Sequence, residues 1–177
     1  MSTGSRPAGL PASLRVGGVD RATLRDRLAA AGVRLNAHAE ALFADARFDA
    51  AAPPCTVRVE ALDVAGLGFA GGATFDALCR AAAARGLGPC PLALGPALRL
   101  AWLDQPDEPD GDLVSRGRAP PGSVTLLSPT PADPATTPWG FYLRRVGGEP
   151  WLRGYRSDAA HRWAPEDLLL FVRVAAA

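Results

Sequence analysis

The sequence predicts an α+β fold, with a mainly antiparallel sheet and one packed helix, preceded by a short N-terminal helical hairpin. Two observations support this class. After residue 53, apolar residues recur at every second position in several short segments, as in half-buried strands. Before residue 53, they recur every three or four positions beside good helix caps. The chain of 177 residues is long enough for a core without disulfide or metal.

The segment 14–52 carries two helix signals. Asp20 is a good N-cap for a first helix, and Gly32 provides a natural stop. Asn36 can cap a second helix of similar length. Helices this short need tertiary support, so we expect a helical hairpin that either packs against the rest of the chain or forms a separate interaction head.

The segment 53–177 is predicted to form the α+β domain. Thr74 can cap one helix, whose apolar stripe ends at Gly86. Alternating residues predict strands at 55–61, 98–102, 124–127, 141–146, 151–155 and 168–174. Gly147-Gly148 joins two of these runs and is a hairpin signal.

Two segments lack a regular pattern. Residues 1–13 are rich in Ser, Gly, Pro and Ala, which predicts a disordered tail. Residues 104–122 contain five acidic residues and four prolines. Such a composition is typical of a long exposed loop.

Several motifs in the second half resemble a family of uncharacterised bacterial proteins. The matching motifs are Cys90-Pro91, Gly95-Pro96, Leu98-Arg99-Leu100, Asp104-Gln105-Pro106, Trp151-Leu152-Arg153-Gly154-Tyr155, Trp163-Ala164-Pro165-Glu166-Asp167 and Phe171-Val172-Arg173. Gly88-Pro89 precedes Cys90 where the family pattern has a leucine. The resemblance covers about residues 55–174. It implies a shared fold, and it supplies no catalytic residue. All 19 basic residues are arginine, which is typical of a GC-rich bacterial genome.

Composition and charge argue against several functional classes. The net charge is +1 and the arginines are scattered, which argues against nucleic acid as a partner. No apolar run is long enough to span a membrane, and Met1 to Ala12 lacks the features of a secretory signal. Three cysteines without a framework of spacings indicate reduced thiols, so we expect a cytoplasmic protein. The spacing of Cys and His residues predicts neither a metal site nor a cofactor.

The candidate binding site is a concentration of aromatic and arginine side chains between residues 139 and 163. The alternation of two strands places rings and guanidinium groups on one side of the predicted sheet. We call this set the ring-and-guanidinium face: Tyr142, Arg144, Trp151, Arg153, Tyr155 and Trp163. It suits a protein partner or an anionic small ligand, as in an adaptor or accessory protein. Arginines stacked on rings also stabilise sheets without binding anything.

A small hydrolase or transferase is the alternative function. His161 and Asp158, three residues apart, could act as a base and its orienting acid. Cys90 lies between two prolines and is a weak candidate for the nucleophile. The ordinary interpretation is that Cys90 fills the core and that Asp158 closes a turn.

Overall fold

The computed structural model describes residues 6–107 and 119–173. Within these ranges it contains four helices and a large, mostly antiparallel sheet, which confirms the α+β class. The helices are α1 (Arg21–Ala30), α2 (Ala37–Ala44), α3 (Phe75–Ala83) and α4 (Leu94–Ala101). The strands are β1 (Ser13–Val16), β2 (Arg34–Leu35), β3 (Cys55–Asp63), β4 (Ala73–Thr74), β5 (Leu87–Gly88), β6 (Val124–Leu126), β7 (Gly140–Val146), β8 (Glu149–Tyr155), β9 (Arg162–Trp163) and β10 (Leu168–Arg173). None of these helices is long and apolar enough to span a bilayer.

Eight strands form the main sheet. Seven follow the order β1-β3-β10-β6-β7-β8-β2, and β5 pairs with β10. Only the β10–β6 and β2–β8 pairs are parallel within the described ranges. Strands β4 and β9 form a separate two-stranded sheet. The predicted hairpin turn at Gly147-Gly148 is confirmed, since both glycines have positive φ and join the antiparallel strands β7 and β8.

The N-terminal helices begin at the predicted caps. Asp20 Oδ1 accepts a hydrogen bond from the Thr23 backbone N–H at 2.8 Å, and Asn36 Oδ1 accepts one from Ala39 at 2.9 Å. Gly32, just after α1, has a φ of +70°. Between the helices, β2 pairs with β8 of the main sheet. The pairing favours the expectation in which this segment packs against the rest of the chain.

Apolar side chains cover both faces of the main sheet. One hydrophobic cluster joins the sheet to α1, α2 and α4, and another joins the opposite face to α3. Along β10, Leu170 belongs to the first cluster, whereas Leu169 and Phe171 belong to the second. Successive residues of β10 therefore pack on opposite faces of the sheet, and both faces are buried.

The predicted strand at 98–102 is wrong, because residues 98–101 form the end of helix α4 and Trp102 is its C-cap. Leu98 and Trp102 also lie four and eight residues after Leu94, and all three are buried. Leu98 and Trp102 therefore satisfy the helical spacing as well as the alternation. In the described residues four helices therefore accompany the sheet, one more than the three that the sequence predicted.

The segments predicted to be irregular lie partly outside the described residues. Of the predicted tail 1–13, residues 1–5 are outside, while Leu10 is buried and the Trp102 indole donates to the Ala8 carbonyl at 3.1 Å. Most of the predicted acidic loop 104–122, residues 108–118, is also outside. Within its described part, Gln105 is buried.

Candidate functional site

The hairpin of β7 and β8 assembles most of the ring-and-guanidinium face. Directly opposed residues are Tyr142 with Arg153, Arg144 with Trp151, and Gly140 with Tyr155. Opposed residues in adjacent strands project to the same side, so the predicted arrangement of these side chains follows from the register. The other side of the hairpin carries Phe141, Leu143 and Leu152, which belong to the first hydrophobic cluster.

Arg153 lies against two aromatic rings. Its Cζ atom is 5.0 Å from the centroid of the Trp151 ring and 6.0 Å from that of the Tyr142 ring. Arg34, on the edge strand β2, also places its Cζ atom 5.5 Å from the Trp151 centroid. The arginine–tryptophan strip, defined as Arg34, Trp151 and Arg153, is the accessible part of the face, with Arg34 exposed and the other two half-buried.

Arg34 was missed in the sequence because β2 is only two residues long. A strand of this length carries no alternation, and its neighbours on both sides are helical. Only the pairing of β2 with β8 places Arg34 opposite Trp151.

The buried part of the face has a different character. Arg144 is 1% exposed and Tyr142 is 9% exposed. Burial raises the pKa of Tyr142, and the positive charges of Arg153 and Arg144 oppose this rise. Both side chains are therefore buried, although the strand register places them on the same side of the hairpin as Trp151 and Arg153.

Tyr155 and Trp163 lie at the other end of the face and pack in the second hydrophobic cluster. Their ring centroids are 5.7 Å apart in an edge-to-face arrangement. The Tyr155 hydroxyl donates to the Leu126 carbonyl at 3.3 Å, and burial raises the pKa of this phenol. The contacts indicate a structural role for both rings.

The two arginines of the strip, Arg34 and Arg153, differ in their ion pairing. Arg34 forms an ion pair with Glu149 at 3.5 Å. No carboxylate in the described ranges forms an ion pair with Arg153. Its Nε atom is buried and has no hydrogen-bond partner.

His161 and Asp158 lie in the same turn, but the Asp158 carboxylate accepts hydrogen bonds from the backbone. Asp158 Oδ1 accepts the N–H groups of Ala160 and His161, both at 2.8 Å. The imidazole packs edge-on against Trp163, with centroids 5.0 Å apart. Asp158 thus closes a turn of the Asx type.

Cys90 lies in the interior, away from solvent. It is 0% exposed, and its Sγ atom donates to the Leu170 carbonyl at 3.1 Å. Burial raises the pKa of the thiol, which keeps it protonated at neutral pH. A buried thiol of this kind lacks the thiolate that nucleophilic attack requires.

A cavity of about 510 Å³ lies near the start of β6 and β10. Trp102, Gln105, Ser123 and Asp167 contribute to its lining, whereas His161, Cys90 and the strip do not. Within residues 6–107 and 119–173, no three His, Cys, Asp or Glu side chains converge as a metal site would require.

Two polar residues of the family-like motifs are buried and join α4 to the hairpin. Arg99 Nη1 donates to Gln105 Oε1 at 2.8 Å, and Arg99 also donates to the Trp102 carbonyl. Gln105 Nε2 donates to the Leu143 carbonyl of β7 at 3.3 Å. Burial lowers the pKa of Arg99 to about 10, so it remains charged at neutral pH. These motifs therefore have a structural explanation.

No protein-family model, curated protein or solved structure matches this chain. The function of the chain is therefore inferred from the geometry of its site.

Proposed function

We propose that the chain is a cytoplasmic binding module, an adaptor or accessory protein, that holds its partner on the arginine–tryptophan strip. The observation that carries the proposal is that Trp151 and Arg153 are only half-buried, side by side with Arg34, at the edge of the β7–β8 hairpin. Tryptophan and arginine are the residue types that most often dominate binding energy at interfaces. Strand pairing and ring stacking hold both side chains in place, so little conformational entropy is lost on binding.

The remaining surface favours a polar or charged partner. Leu103, at 38% exposure, is the only exposed large hydrophobic side chain in the described part of the chain. A broad apolar interface needs more such side chains. The proposal therefore concerns a small contact area, with a protein segment or an anionic small ligand as the occupant.

The alternative, a small hydrolase or transferase, depends on His161 and Asp158. A catalytic base needs a substrate within hydrogen-bond reach, and the cavity of about 510 Å³ is not lined by His161. Cys90 contributes a protonated thiol in the core. The binding module is the function that the geometry supports better.

The test is capture from a lysate of the native host by immobilised protein, with the captured proteins identified by mass spectrometry. We expect Arg153→Ala to lose the specific set that the wild type captures. The folded state should lose only about 1 kcal/mol, because the stacking of Arg153 on the rings is a weak interaction. Urea unfolding of the same samples measures this change.

Two control variants accompany this test. Arg58→Ala removes an exposed arginine of β3, and His161→Ala removes the imidazole of the enzyme alternative. Both should capture the same proteins as the wild type. Capture that is unchanged in Arg153→Ala would contradict the proposed site, and loss only in His161→Ala would favour the alternative.

A further inference from the structure

We infer that the strip recognises a carboxylate on an acidic peptide segment of a partner protein. The inference rests on the proposed binding function and concerns the chemistry of the ligand. Its starting point is Arg153, whose guanidinium group packs on Trp151 and Tyr142 without an ion-pair partner in the described ranges. A guanidinium group is planar, and its N–H donors can form two parallel hydrogen bonds to the two oxygens of a carboxylate.

The number of available charges selects a carboxylate over a phosphate. Arg34 is already paired with Glu149 at 3.5 Å, which leaves Arg153 as the positive charge of the strip that no carboxylate among residues 6–107 and 119–173 pairs with. One guanidinium group balances one negative charge. A phosphate monoester carries nearly two negative charges at neutral pH and is better matched by a cluster of arginines.

A peptide is favoured over a free carboxylic acid because a single charged pair gives little affinity. One hydrogen-bonded charge pair strengthens binding by about 10- to 100-fold, which alone leaves a small acid bound only weakly. The half-buried Trp151 ring beside Arg153 supplies the further contact area that a peptide chain would use.

The experiment selects peptides from a displayed random library on the immobilised full-length protein. Captured sequences are resynthesised in three forms: unchanged, with each Asp and Glu replaced by Asn and Gln, and with each acidic residue replaced by phosphoserine. We expect the selected peptides to be rich in Asp and Glu and the neutral forms to bind about 10- to 100-fold more weakly. An Arg153→Gln variant should remove this difference.

Two further measurements keep the result independent of folding. Arg153→Lys keeps the charge but loses the fork, so we expect an intermediate preference for the acidic form. In the wild type, the acidic peptide should shift the NMR resonances of the Arg153 Nε–H and the Trp151 indole N–H. A shift at Arg58 of equal size would overturn the assignment of the site.

The remaining outcomes separate this inference from the proposed function. If neutral peptides bind as tightly as acidic ones and their binding depends on Trp151, the inferred recognition of a carboxylate is wrong, whereas the proposed binding function stands. Tighter binding of the phosphoserine form would also contradict recognition of a carboxylate. Absence of any capture that depends on Trp151 or Arg153 would overturn both.

Discussion

At the scale of single residues, the three cysteines differ in their surroundings. Cys55 is exposed at the start of β3, Cys79 is half-buried on α3, and Cys90 is buried against the Leu170 carbonyl. Burial raises the pKa of Cys79 to about 11 and raises the pKa of Cys90 as well. In this fold the proline-flanked Cys90 thus behaves as a small apolar side chain with one hydrogen bond.

A change of pH tests the burial of Cys90. The unfolded thiol titrates near its usual value of 9.0, whereas the folded thiol keeps its proton to higher pH. Above that usual value the unfolded chain loses a proton that the folded chain retains, so the free energy of unfolding falls as pH rises. We expect the urea midpoint to decrease between neutral pH and pH of about 10. The decrease should be smaller in Cys90→Ala.

Alkylation provides the control for this prediction. Iodoacetamide should modify Cys55 in the folded protein at neutral pH, while Cys90 reacts only in urea, because a buried and protonated thiol is unreactive. Mass spectrometry of peptides identifies the modified residue. Rapid modification of Cys90 in the folded protein would contradict its buried position and strengthen the enzyme alternative.

At the scale of elements, helix α2 is held against strand β8 by Asn36 and Gly154. The Asn36 side chain accepts the Gly154 N–H at 2.8 Å and donates to the Gly154 carbonyl at 3.0 Å. A Cβ atom on residue 154 would lie 2.5 Å from the His38 carbonyl carbon. Only glycine allows the start of α2 to approach the strand so closely.

Substitution of either residue should destabilise the fold. We expect Gly154→Ala to lower the free energy of unfolding by about 2 kcal/mol or more through overpacking. Asn36→Ala should cost about 1–3 kcal/mol, because the cap and both strand hydrogen bonds are lost. Gly71→Ala is the matched control, since its Cβ would meet nothing within 4 Å. Urea midpoints measure all three, and equal midpoints for Gly154→Ala and Gly71→Ala would refute the close approach.

The sequence predicted local elements better than the contacts between them. The caps Asp20 and Asn36 and the turn at Gly147-Gly148 were predictable, because each depends on residues within a few positions. The sequence predicted a strand in place of the end of helix α4 because Leu98 and Trp102 fit both the helical and the strand period. The pairing of β2 with β8 was not predictable either, since it joins residues more than a hundred positions apart.

The same limit applied to the candidate site. Alternation correctly placed Tyr142, Arg144, Trp151 and Arg153 on one side of a hairpin, because strand register fixes side-chain direction. It did not reveal that α3 covers the opposite end, where Tyr155 and Trp163 join the second cluster. Nor did it reveal that Arg34 completes the accessible strip.

At the scale of the whole molecule, the predicted segments 14–52 and 53–177 share one hydrophobic cluster. Phe43 and Phe48 pack on Phe141 of β7, with ring centroids 5.8 and 6.3 Å apart. Strand β1 pairs with the first half of β3, residue by residue from Ser13 to Val16. The N-terminal segment therefore supplies both a sheet edge and part of the core.

A chain that begins at Pro53 should consequently fail to fold by itself. Without the N-terminal segment, Phe141 and its neighbours lose their cover, and β3 exposes an unpaired edge beside a large apolar surface. We expect such a chain to show no cooperative urea transition and poorly dispersed amide resonances by NMR. The full chain should instead unfold in one transition, with the same midpoint by tryptophan fluorescence and by circular dichroism. The N-terminal segment expressed alone should also be unfolded, because its helices are too short to be stable in water. A native-like spectrum from the chain beginning at Pro53 would instead establish the N-terminal segment as a separate interaction head.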